Sequence, residues 1–162
     1  MTRANERQIG GDHYKRDQGL EHWDLIERSG IGYLEGCATK YVARWRQKGG
    51  VQDLEKAEHY LQKLTELHQE GVRLPRGVAQ IGMISTFCQP LEQVERSIIH
   101  TLCTWTCQAH LDHAARDLRF LISLERSIQR DKSEAQDAPS APGQDQVRGD
   151  VPPSSSEVRG PA

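Results

Sequence analysis

Cations crowd one short stretch of the chain: Lys40, Arg44, Arg46 and Lys48, then Lys56 beyond the paired glycines Gly49-Gly50, with Lys15 available from the segment before them. Guanidinium offers paired donors, ammonium a compact charge, and glycine lets backbone amides approach an anion, so the combination suits phosphate oxygens. Tyr14, Tyr41, Trp45 and Tyr60 fall near these cations in the pattern, Trp45 reading rather as core, and an aromatic face beside a phosphate site can stack on a nucleobase. The plainer reading of the same charges is a solvated face, laced by pairs of Glu55 and Glu58 with nearby lysines.

Phosphoryl transfer would ask little more of such a site. Lys40, Arg44 and Arg46 would neutralise the charge that spreads over the transferred group. An acceptor phosphate is already ionised near neutral pH, so positioning and electrostatics can carry the step without a strong general base. Glu35 or Asp53 can hold a magnesium ion through water or bind a ribose hydroxyl, while His13 and Tyr14 can close over the nucleotide. No G-x-x-x-x-G-K-[ST] or H-E-x-x-H occurs, and Gly30, Gly32 and Gly36 lack the strand that a dinucleotide fingerprint needs. His100, Cys103, Cys107 and His110 form a helical stripe, but a straight helix spreads them over about 15 Å and cannot wrap four ligands round one ion, so buried thiols or an interface are expected there. A binding module that grips a nucleotide or a host protein needs only the cations. An all-helical nucleotide pyrophosphatase needs grouped carboxylates, and Glu92, Glu95, Asp112 and Asp117 are loosely spaced for that.

Helices must carry these residues. Trp23, Leu25 and Ile26 mark a short one over 21–28, closed by Ser29-Gly30. Leu34, Ala38, Tyr41, Val42 and Trp45 recur at three- and four-residue intervals, with Lys40 and Arg44 on the opposite, outward side and Gly49-Gly50 as the stop. Asp53 can cap the next helix, in which Leu54, Ala57, Leu61, Leu64 and Leu67 keep the period until Gly71 and Pro75. Two helices joined by so short a turn pack antiparallel.

A connector over 71–89 contains a short apolar segment around Ile81 to Phe87, and Pro90 suits the first turn of a second hairpin, Leu91–Ala109 and Leu111–Arg130. An offset of sixty lays Glu35, Ala38, Val42 and Trp45 on Glu95, Ile98, Leu102 and Trp105. An offset of 57 then lays Leu54, Ala57, Leu61, Leu64 and Leu67 on Leu111, Ala114, Leu118, Leu121 and Leu124. Apolar periodicity alone aligns any two such hairpins; the matched tryptophans and acid favour a degenerate repeat. The positions matching Lys40, Arg44 and Gln47 are His100, Thr104 and Cys107, so the second hairpin lacks the charge.

The expected architecture is all-α. It comprises an N-terminal arm (1–20), a first helical hairpin (21–70), the connector (71–89), a second hairpin (90–130) and a disordered tail (131–162) too poor in large apolar residues to order itself. The 162 residues carry a net charge of −2, which argues against general nucleic-acid binding and a polybasic membrane binder. No run approaches the ~18 apolar residues of a membrane span, and the opening residues lack the apolar core of a signal peptide. Four cysteines with no CxxC pair read as free thiols in the cytoplasm. One hairpin has little concave surface, so a complete pocket is expected between subunits of a homo-oligomer.

The run Gln8-Ile-Gly-Gly-Asp-His-Tyr-Lys15, then Trp23-Asp24-Leu-Ile-Glu27, Leu34-Glu-Gly-Cys-Ala-Thr-Lys-Tyr-Val-Ala-Arg44 and Lys48-Gly-Gly-Val-Gln-Asp-Leu-Glu-Lys-Ala-Glu-His-Tyr60 closely resembles the SaV-like family of phage proteins, over residues 8 to 68. Many of its members are known as phage nucleotide kinases. The resemblance implies phosphoryl transfer from a nucleoside triphosphate to a deoxynucleoside monophosphate without a Walker loop, in the cytoplasm of an infected host cell. Read as such a kinase, the chain would use Lys40, Arg44 and Arg46 of its cation cluster as catalytic residues. His13, Tyr14, Lys15, Glu35, Cys37, Tyr41, Lys48, Asp53, Lys56 and Tyr60 would contact substrate, with magnesium accompanying the nucleotide. Cys37 stands where that family usually has Asn, and a thiol cannot offer an amide's paired donor and acceptor.

Overall fold

The computed structural model describes residues 20–74, 77 and 79–137. Among them the chain is all-helical, in the order α1 (His22–Arg28), α2 (Tyr33–Arg44), α3 (Val51–Gln69), α4 (Ile81–Cys88), α5 (Gln93–Thr104) and α6 (Gln108–Asp137). None of these helices is long and apolar enough to cross a membrane. The expected arm, Leu20 apart, and the expected tail from residue 138 onward lie outside the described residues.

Most of the apolar period read from the sequence is buried, although Leu67 is half-buried and Leu124 is exposed. Ala38 and Val42 on α2 and Leu54, Ala57, Leu61 and Leu64 on α3 are sealed from solvent, as are Ile98 and Leu102 on α5 and Leu111, Ala114 and Leu118 on α6. Each such leucine contributes about 1.5–3 kcal/mol relative to an exposed one, so the core rather than helix propensity holds the elements. The α2–α3 hairpin turns at Gly50, whose φ of +55° lies in the region that favours glycine.

Several boundaries depart from the sequence reading. Gly50, not Asp53, occupies the N-cap of α3; Asp53 sits inside the first turn. Pro90 precedes α5, whose start is fixed by a capping box: the Glu92 backbone N–H donates to Glu95 Oε2 at 2.8 Å, and the Glu92 side chain accepts from the Glu95 backbone. This helix ends at Thr104 because Trp105 is extended (φ −55°, ψ 146°), where a helix to Ala109 was expected. In the other direction α6 runs past Arg130 to Asp137, through good helix formers such as Lys132, Glu134, Ala135 and Gln136. Extending an existing helix avoids the cost of nucleation.

The helices assemble like against like. α2 packs on α3 and on α5, α6 packs on α3 and on α5, and α1 meets α4, which rests on α5. The bundle α2–α3–α5–α6 thus pairs α2 with α5 and α3 with α6 across one seam. In that seam the Trp45 indole N–H donates to Glu95 Oε1 at 2.6 Å, and the Trp105 indole N–H donates to Glu35 Oε1 at 3.0 Å. All four side chains are buried. Each half supplies the donor for the other half's carboxylate.

The connector is tied down by a close backbone approach. Gly77 N–H donates to the Gly30 carbonyl at 2.6 Å, and a Cβ on Gly30 would stand 2.6 Å from Gly77 Cα. Only glycine fits at either position, and Gly30 has a φ of +58° besides.

The two tryptophans are not equivalent in cost. Glu95 keeps the Arg46 guanidinium at 2.8 Å and the Glu92 amide when Trp45 is removed, whereas Trp105 is the side-chain donor to Glu35 among the described residues. Trp105→Phe is therefore expected to destabilise by about 1.5–3 kcal/mol, the range for a hydrogen bond to a charged group. Trp45→Phe is expected to cost less, and urea melts of the two variants would rank them.

Candidate functional site

The site is built on the outer side of the α2–α3 hairpin, around the ring of Tyr41. Lys40 Nζ lies 4.8 Å from the ring centroid, Arg44 Cζ 4.7 Å and Lys56 Nζ 5.5 Å, distances at which a cation is attracted to an aromatic face. Asp53 stands between two of them, its carboxylate 3.0 Å from Arg44 Nε and 3.0 Å from Lys56 Nζ. The carboxylate is only 1% exposed. Gly49 makes room for it, since a Cβ there would collide with the Asp53 carboxyl. Among the described residues these three cations share the one carboxylate of Asp53, a surplus of positive charge on this face.

Aromatic rings extend the face. Tyr60 stacks on Tyr41 with centroids 5.8 Å apart and planes 18° from parallel, and Tyr33 meets Tyr60 edge-on at 6.2 Å. Tyr33 is 74% exposed. Its phenol is pushed up from 10.0 to about 12, chiefly by a hydrogen bond with the Cys37 side chain and next by one with Tyr60. Cys37 thus joins the ridge Tyr33, Cys37, Tyr41, spaced four apart on α2.

Of the residues expected here, Lys40, Cys37, Tyr41, Arg44, Asp53, Lys56 and Tyr60 come together. Lys48 lies exposed in the hairpin turn. Arg44 is not outward-facing as expected: its side chain is 13% exposed because Asp53 draws it in. Arg46 turns to the seam, donating to Glu95 at 2.8 Å and lying over the Trp45 ring at 4.3 Å. Glu35 is likewise committed to the seam by Trp105, which removes it as a magnesium or ribose contact. His13, Tyr14 and Lys15 lie outside the described residues. Tyr33 was missed; its place four before Cys37 and eight before Tyr41, one helical ridge, was the available signal.

The second hairpin offers no such face. Ser97 and Asp117, at the positions matching Cys37 and Tyr60, bond to each other at 2.9 Å. The carboxylates considered for a pyrophosphatase are divided among separate partners: Glu95 with Trp45 and Arg46, Asp117 with Ser97, Asp112 with Gln108. Among the described residues no group of His, Cys, Asp and Glu is arranged to hold a metal ion, and Cys103 is buried while Cys107 is exposed.

Residues 10–62 match the profile of a family described as a protein of unknown function, DUF3310. No curated protein and no solved structure matches the chain. The family match corrects the resemblance to SaV-like nucleotide kinases: the family that this stretch is similar to has no assigned activity, so no kinase identity reaches the chain through it.

Tyr33 provides a direct reading of the ridge. The folded phenol holds its proton to about pH 12, against 10.0 for an ordinary phenol. Between those values the unfolded chain releases the proton first, so this group's contribution to stability is present below pH 10 and is lost as pH rises toward 12. Ultraviolet titration is expected to show the Tyr33 phenol ionising late, and Cys37→Ala is expected to bring it back toward the ordinary value.

Proposed function

We propose that the outer face of the α2–α3 hairpin binds a nucleotide, with phosphate oxygens on Lys40, Lys56 and Arg44 and the base against Tyr33 and Tyr60. The observation that carries this reading is the gathering of three cations round one tyrosine with a single carboxylate between them. Asp53 holds Arg44 and Lys56 side by side where like charges would otherwise repel, which fixes the spacing of the two cations. Among the described residues the Lys40 ammonium meets no carboxylate, which leaves its donors open to a ligand. Tyr60 and Tyr33 favour a ligand with a planar base over a bare phosphate. Four free cysteines fit action in a reducing, cytoplasmic compartment.

Binding is the function that this geometry supports; transfer of a phosphoryl group is a further step that the same experiment can read. Calorimetric titration of the chain with deoxynucleoside monophosphates and nucleoside triphosphates is expected to show binding that weakens with salt. Lys40→Ala with Lys56→Ala is expected to lower affinity roughly tenfold or more, the loss of one or two charge-assisted hydrogen bonds. Tyr60→Leu is expected to weaken nucleotides while leaving inorganic phosphate unchanged. Absence of binding, or binding indifferent to the lysines, would sink the proposal. Incubation of ATP, GTP or dTTP with each monophosphate, with and without magnesium, then asks whether a diphosphate forms.

A further inference from the structure

The seam between the halves carries an inference independent of what the cation face binds. It joins each element to its own counterpart: α1 to α4, α2 to α5, α3 to α6. Its two buried polar pairs are reciprocal, Trp45 with Glu95 and Trp105 with Glu35, and under the offset of sixty each pair is the image of the other. Two unrelated hairpins packed together have no reason to exchange the same bond in both directions. A contact in which position i of one unit meets position j of the other, and j meets i, is the mark of a two-fold interface between like units.

We infer that α4–α6 is an internal copy of α1–α3, and that the face of α1–α3 bearing Glu35 and Trp45 is a self-complementary docking surface for a second copy of the same unit, supplied here within one chain. If the occupant were another α1–α3, the Trp45 of each would meet the Glu35 of the other, since Glu35 stands where Glu95 stands. The stretch shared with the family ends at residue 62, within α3, and so comprises the first unit without the helices that cover it. Leu54, Ala57, Leu61 and Leu64 are sealed from solvent in this chain and need such a cover. That cover is provided in cis by the second unit. Away from the seam the copy has diverged: Lys40, Tyr41, Arg44 and Tyr60 are matched by His100, Thr101, Thr104 and Asp117. The second unit therefore lacks the counterparts of this cation cluster.

The test opens the chain without dismantling it. A protease site inserted after Val72, in the exposed stretch that follows α3 and before Gly77, is cut in the folded protein, and native mass spectrometry follows the halves. The uncut chain is expected as an 18.3 kDa monomer, and the cut halves are expected to stay together. After the cut mixture is unfolded and refolded, the amino-terminal half is expected both paired with the carboxy-terminal half and paired with itself. Glu35→Gln discriminates further, because it weakens one seam bond in the mixed pair but two in the self-pair. The self-paired fraction should fall several-fold relative to the mixed one. Separation of the halves on cutting, refolding to the mixed pair alone, or equal sensitivity of both pairs to Glu35→Gln would overturn the inference.

Discussion

Two carboxylates lie buried between the halves of this protein, and the bundle is arranged round the need to satisfy them. A buried carboxylate without partners costs several kcal/mol, and neither half provides an indole donor for its own. Glu35 is served by Trp105 and Glu95 by Trp45, so the acids are satisfied only when the halves meet in one register. Apolar stripes would tolerate a shift of one helix along another; an indole N–H aimed at a carboxylate oxygen does not. Glu95 binds this constraint to the local structure as well, since the same side chain closes the capping box that starts α5 and receives Arg46 from the turn between α2 and α3.

The same economy shapes the outer face of α2 and α3. Asp53 is buried against the Gly49 turn and draws Arg44 and Lys56 to its two oxygens. The turn, the carboxylate and the cations form one unit, so the geometry of the hairpin tip sets the geometry of the charges. The stacked tyrosines widen this unit into a surface with a charged end and an aromatic end.

The helices of the first hairpin were legible because burial selects one side of a helix and leaves a period of three and four in the sequence. Periodicity shows which side a residue's Cα is on, and it says less about where a long side chain ends. Arg44 and Arg46 both begin on or near the polar side, yet their guanidinium groups reach back to Asp53 and Glu95. Glu35 read as a ligand for the same reason: its partner lies 70 residues away, and nothing local announces it. The alignment of Glu35 and Trp45 with Glu95 and Trp105 did contain the answer, although as a repeat rather than as a pair of contacts. The end of α5 at Trp105 was hidden because the residues after it keep an apolar and polar mixture that a helix would also accept, and the seam bond fixes the extended turn instead.

Because each seam bond joins the two halves, sequence change is coupled across it. A replacement at Trp45 has to be answered at Glu95, 50 positions further along, while a replacement at Tyr60 makes no demand on Asp117. The two halves are therefore obliged to change in step where they touch and are at liberty to drift apart where they face outward. A chain built this way can keep one binding face under constraint and use the opposite one as raw material, with no loss to the fold that holds both.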